Sequence, residues 1–246
     1  MHPEKLQAYV LSTLDYGDSD RIVALFTLEH GRIKAFARRA RNSRRRFGAA
    51  LEIFARIEAH VEIKQGGLSG LRQAEIDCIY PGIRGDLGRI AYALYACELV
   101  DAMTPEGHPL PRLFRLLAAY LDRLEAYPAS EQERRFFEIN LLNILGYRPS
   151  LEACSRCGTP FDDRGALLLD DGELVCRACT GHGRDMTQVT LGRMLACLKT
   201  GTFGLIHFPD EAQAQTGSAL DRALAFHAGH RLKSLEFLRQ ISNENQ

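Results

Sequence analysis

The sequence predicts an α+β chain of two parts: a small closed five-stranded barrel over residues 1–80, then an α-helical domain over 81–246 that carries a four-cysteine zinc-ribbon-like module at 151–182. Three observations predict it. Short alternating strands fill the N-terminal part, the apolar pattern turns helical after Pro81, and two C-x-x-C pairs, Cys154/Cys157 and Cys176/Cys179, interrupt the helices.

Residues 8–14, 21–28, 32–37, 51–63 and 71–76 read as strands, broken by Asp15-Tyr16-Gly17-Asp18, His30-Gly31 and Gln65-Gly66-Gly67. Strands at this spacing suit a small closed barrel, a pattern shared by OB-fold and SH3-like barrels. The OB-fold offers a strand face and loops that bind oligonucleotides.

Charge sharpens that expectation. Lysine plus arginine equals aspartate plus glutamate at 31 each, so the net charge is zero and the overall balance favours no polyanion partner. Its distribution does. Residues 31–51 contain no acid, while Arg32, Lys34, Arg38, Arg39, Arg41, Arg44, Arg45 and Arg46 accumulate there with Phe36 and Phe47. Arginine offers a planar fork of donors for phosphate and can stack on bases, so these residues are the candidate DNA contacts. Ser43 and Gly48 mark 41–48 as a mobile loop projecting from the barrel. Phe47, in that loop, is the stacking candidate; Phe36, alternating with charged neighbours on a strand, is expected in the barrel core.

Beyond Pro81, Leu87, Ile90, Ala91, Leu94 and Cys97 follow helical spacing, as do Leu113, Leu116, Leu117, Tyr120, Leu121 and Leu124. Ser130 and Glu133 form a capping-box pair ahead of Phe136, Phe137, Leu141 and Ile144, with Gly146 as the stop. Further helices are expected at 190–199 and 218–239.

Thiolates at i and i+3 of a tight knuckle can face one metal, and a hairpin brings a second knuckle to complete a tetrahedral shell. Residues 166–169 read as one strand of that hairpin, Asp170-Asp171-Gly172 as its turn and 173–175 as its return. With all four positions taken by cysteine, one structural zinc per chain is expected, stapling a long excursion to the helical body. Cys78, Cys97 and Cys197 lie in apolar contexts and read as core residues.

No apolar run approaches the roughly 20 residues that span a bilayer, and the start Met1-His2-Pro3-Glu4-Lys5 is not a signal peptide, so a cytoplasmic location is expected. The chain lacks a G-x-x-x-x-G-K-[ST] phosphate loop and a G-x-S-x-G elbow, which fits a binding protein better than an enzyme.

Tyr16-Gly17-Asp18-Ser19-Asp20-Arg21-Ile22-Val23, then Phe26-Thr27, His30-Gly31 and the arginine run, resemble the N-terminal domain of the bacterial RecO recombination mediators. His230-Arg231-Leu232-Lys233-Ser234-Leu235-Glu236-Phe237-Leu238 is similar to that family's C-terminal signature. The resemblance covers nearly the whole chain. It implies an OB-fold, a helical domain and a zinc module, and a nucleoid-associated protein that binds single- and double-stranded DNA. It further implies annealing of complementary strands coated by SSB, and cooperation with RecR in loading RecA. A groove near Arg231 and Lys233 is the expected seat of the acidic, apolar-ended SSB tail.

Two other readings compete. His60-Val61-Glu62 followed by C-x-x-C echoes half of a zinc deaminase signature, although neither C-x-x-C follows a proline. A zinc-ribbon adaptor or transcription factor would act through protein contacts instead.

Overall fold

The computed structural model describes residues 2–43, 45–64, 66–229 and 231–244. Five strands close a barrel in the order β1-β2-β3-β5-β4: β1 (Glu4–Tyr16), β2 (Asp20–Thr27), β3 (Gly31–Ala37), β4 (Arg56–Glu62) and β5 (Ser69–Cys78). Neighbours run antiparallel except β3 and β5, which pair in parallel through Ala35↔Ser69 and Phe36↔Gly70. This closure makes the barrel OB-like. Period-two burial sends Leu6, Ala8, Val10, Val23, Leu25, Ile33, Ala35, Ala37, Ile57, Ala59, Val61 and Leu71 inward. The many alanines suit the narrow interior of a five-stranded barrel, where side chains from every wall meet.

The expected strand at 51–63 is shorter than read. Leu51, Phe54 and Ala55 are buried but lie outside any strand, with Phe54 in the left-handed region at φ 59° and bonded to β1 through its N–H and the Val10 carbonyl (2.8 Å). Leu51 and Ala55 belong to the barrel core, and a buried turn looks as apolar as a strand. Nor is 41–48 a free loop. A 3-10 turn at Ala40–Asn42 leads into turns that press Phe47, Ala50 and Leu51 into the barrel core.

The chain forms two compact units, residues 1–129 with 232–246, and residues 130–231. In the first, α1 (Pro81–Arg84), α2 (Leu87–Met103), α3 (Pro111–Ala126) and α7 (Lys233–Glu244) join the barrel. Tyr9 and Phe26 point outward from the barrel yet are fully buried, because Phe114 of α3 covers them at centroid distances of 5.1 and 5.9 Å. α2 packs on both β1 and α7, so Tyr92, Tyr95, Leu99 and Val100 are buried while Leu87, part of the expected stripe, is exposed. A sandwiched helix has no single apolar face to read.

In the second unit, α4 (Glu131–Leu145) starts at Ser130, whose Oγ accepts from the Glu133 N–H (3.3 Å), and ends at Gly146 with φ 80°. β6 (Ala166–Leu168), β7 (Leu174–Val175) and β8 (Arg184–Met186) form a small antiparallel sheet in the order β7-β6-β8, followed by α5 (Gln188–Lys199) and α6 (Asp210–Ala228). The expected helix at 218–239 is two helices: α6 starts earlier, behind a polar first turn, and stops at Gly229 with φ 70°, before α7. Among the described residues, no helix is long and apolar enough to cross a membrane.

Candidate nucleic-acid interface and metal centre

Cross-strand register builds an apolar row on the outside of the barrel: Leu14↔Ile22, Ile22↔Phe36, Phe36↔Gly70. Leu14 is 63% exposed, and Phe36 is half-buried beneath Tyr16, its ring meeting the tyrosine edge-on at 5.9 Å and 80°. Beside Phe36, the parallel β3–β5 pair and the β4–β5 connection enclose a groove of about 570 Å³. Arg38, Arg39, Arg46, Lys64 and Arg72 line it with Phe36. Among the described lining residues one is acidic: Glu62 accepts from Arg72 Nη2 at 2.6 Å, and that guanidinium holds its carboxyl below the ordinary range. An aromatic ring ringed by cations can hold a base by stacking and its phosphates by charge.

The residues of the arginine run divide by role. Arg32 is a strut: it donates to the Thr104 carbonyl (2.9 Å) and pairs with Asp101 (3.3 Å), fastening β3 to α2. Lys34, Arg38, Arg39, Arg41 and Arg45 have exposed side chains; Arg41 approaches Asp15 at 3.8 Å. Arg39 has φ 54°, held by its N–H donating to Asp20 at 2.6 Å. Arg46 is half-buried, donating to Ser43 Oγ (2.9 Å) and the Arg38 carbonyl (2.7 Å) while its guanidinium lies 5.0 Å from the Phe47 ring centre. Arg44 lies outside the described residues.

The structure reverses the burial expected of the two phenylalanines. Phe47 is 3% exposed and belongs to the barrel core, so it has no face to offer a base. Phe36 points outward. Its parity in β3 signals this: it alternates with inward Ile33, Ala35 and Ala37 and shares a face with Arg32 and Lys34. Lys64 and Arg72 escaped the sequence reading because only strand pairing brings them to the arginine run.

The four cysteines converge. Cys154 and Cys179 sulfurs lie 3.8 Å apart, Cys157 and Cys176 3.6 Å, and all four fall within 4.8 Å of one another, with no disulfide among them. Each knuckle is set by the backbone, Gly158 N–H donating to the Cys154 carbonyl and Cys179 N–H to that of Cys176. Leu167, Leu169 and Val175 pack beneath Cys154. Burial opposes ionisation of Cys154, but the backbone donors of Cys157 and Cys176 outweigh it and lower the thiol to about 6. Such a cluster can bind a metal ion. His60 is not among its ligands and sits within β4 rather than at a helix start, so the deaminase reading fails.

Arg231 and Lys233 are both exposed. Lys233 opens α7, where Glu98 accepts from the Lys233 and Ser234 N–H groups at 3.1 and 2.8 Å.

Comparison with known proteins agrees with this architecture. The family model for the N terminal of Recombination protein O matches residues 1–79, and that for its C terminal matches 84–236. The DNA repair protein RecO of Geobacter sulfurreducens is 48% identical over 243 residues, covering 98% of this chain and 100% of the relative. Its namesake from Geobacter metallireducens is 44% identical (98% and 99%), and that from Anaeromyxobacter dehalogenans 40% (98% of each). With both halves matched in order and relatives aligned end to end, the chain belongs to the RecO family of DNA repair proteins.

Proposed function

We propose that this protein is a cytoplasmic, nucleoid-associated recombination mediator that binds single- and double-stranded DNA and anneals complementary strands, including strands coated by SSB. The observation that carries the reading is the groove beside Phe36, where Arg38, Arg39, Arg46, Lys64 and Arg72 converge on an outward aromatic ring. Annealing requires two like-charged strands to approach, and arginines lower their repulsion by displacing counterions. Contacts to phosphate and stacking on any base are insensitive to sequence, as general repair demands. No bond is made or broken, so the protein acts by binding and not as an enzyme. It works with RecR to help load RecA, and the acidic SSB tail binds near Arg231 and Lys233.

The four cysteines hold one structural zinc. A tetrahedral ion with metal–sulfur bonds of about 2.3 Å needs its sulfurs about 3.8 Å apart, and the measured pairs at 3.8 and 3.6 Å meet that spacing. Bound zinc supplies a crosslink. Cys154, Cys157, Cys176 and Cys179 would hold the module folded where its three short strands bury too little to do so alone.

The test is the annealing rate of two complementary oligonucleotides coated with SSB, with and without the protein, across a salt series and without nucleotide. Salt-sensitive acceleration is the expected result. Failure to accelerate coated or bare strands would refute the mediator reading and favour an adaptor.

A further inference from the structure

The barrel carries a second cluster of metal-ligating groups. Glu58 and His60 alternate along the outward side of β4, and Glu75 is the direct cross-strand partner of Glu58 on β5. One ligand atom from each lies within 4.8 Å of the others. His60 Nε2 faces Glu58 Oε1 at 3.4 Å and Glu75 Oε1 at 3.7 Å, within ion-pair reach of both. The nitrogen has no solvent access and no hydrogen-bond partner among the described residues. The imidazole nitrogen is thus shielded from solvent and faces two carboxylates at ion-pair distance without a well-aligned hydrogen bond to either.

Two neighbours complete the charge account. Lys5 Nζ sits 2.8 Å from Glu58 Oε1, and Gln73 Nε2 donates to Glu75 Oε1 at 3.0 Å. Lys5 is cross-strand partner to His60, and its side chain is 64% exposed, free to swing away. The ammonium stands where a cation would, and once it swings away the two carboxylates carry the charge that a divalent ion cancels. Glu62, next on the same side of β4, is engaged by Arg72 and is not a ligand.

We propose that Glu58, His60 and Glu75 form a binding site for a divalent first-row transition-metal ion on the outer face of the barrel, separate in ligands and chemistry from the four cysteines. An imidazole with two carboxylates suits such an ion better than magnesium or calcium, which take oxygen alone. Three protein ligands leave coordination positions open to solvent, so this ion exchanges readily, unlike one enclosed by four thiolates.

Cobalt(II), added to full-length zinc-loaded protein, tests the proposal by calorimetry and absorption. One further ion should bind with weak d–d bands and without the intense thiolate charge-transfer band that entry into the cysteine site would produce. His60→Ala and Glu75→Gln should each weaken it at least about tenfold, given that even outer-shell partners of metal ligands are worth 10–100-fold. Glu75 is 55% exposed, so the glutamine variant tests the site without disturbing the core. Lys5→Met should tighten binding by removing the competing cation. No binding beyond the cysteine site, or binding unchanged in both ligand variants, overturns the proposal.

Discussion

Phe36 meets Tyr16 edge to face, ring centres 5.9 Å apart and planes at 80°, on the outside of a barrel whose interior is filled largely by alanine and leucine. The contact orients the Phe36 ring at the mouth of the cationic groove. Phe36→Ala should therefore cost single-strand affinity about 1–3 kcal/mol, roughly a 5- to 150-fold rise in Kd, with little change in the urea midpoint. Phe47→Ala should do the reverse, costing about 3–5 kcal/mol of stability as its core site empties. Fluorescence anisotropy and urea titration on both variants check the pair; equal affinities for wild type and Phe36→Ala would remove stacking from the mechanism.

The cations should sort in the same way. Arg39→Gln, Arg45→Gln and Arg72→Gln are each expected to weaken binding across sequences and lower the slope of log K against log salt by about 1. Arg32→Gln should leave that slope intact, because its guanidinium is committed to Asp101 and Thr104, and should lower the melting temperature instead. Glu62→Gln should raise affinity and steepen the slope by releasing Arg72. A salt slope that falls in Arg32→Gln but not in Arg72→Gln would move the interface off the groove.

How much of this was legible in the chain depended on the range of the signal. The cysteines were readable because a knuckle is local: i, i+3 spacing suffices to aim both sulfurs. β3 was readable because Ile33, Ala35 and Ala37 alternate with Arg32, Lys34 and Phe36. Leu51, Phe54 and Ala55 misled because apolar character reports burial, not conformation. The first turns of α6, with Asp210, Glu211, Gln213 and Gln215, lack a continuous apolar stripe and gave no helical period. The groove itself was not legible. It exists because β3 and β5 pair in parallel, which sets Arg72 beside Arg38 and Arg39, and no local pattern encodes that pairing.

Gly31 explains why the turn after β2 takes the form Phe26-Thr27, His30-Gly31. Thr27, fully buried, accepts at Oγ1 from the His30 N–H (3.0 Å) and donates to the Gly31 carbonyl (2.9 Å). Gly31 has φ 66°, and a Cβ there would fall 1.8 Å from the His108 carbonyl oxygen. Backbone cannot yield as a side-chain tip can. Gly31→Ala should cost more than about 3 kcal/mol, within the range of the most damaging single substitutions, seen as a large drop in the urea midpoint. A midpoint close to wild type would mean that the segment containing His108 shifts freely.

Zinc should matter to the module and not to the groove, since the four ligands all come from the cysteine knuckles and none lines the groove. Chelation is expected to release one zinc per chain, read by metal analysis, and to lower thermal stability, while salt-dependent binding to single strands persists. Because metal binding takes thiolates, acid competes with the ion, and release should grow easier as pH falls. Cys157→Ser should show the same loss without chelator, its exposed sulfur being replaceable without emptying the core beneath Cys154. Fresh protein without zinc would sink the assignment, and DNA affinity that declined in step with zinc release would make the module part of the interface.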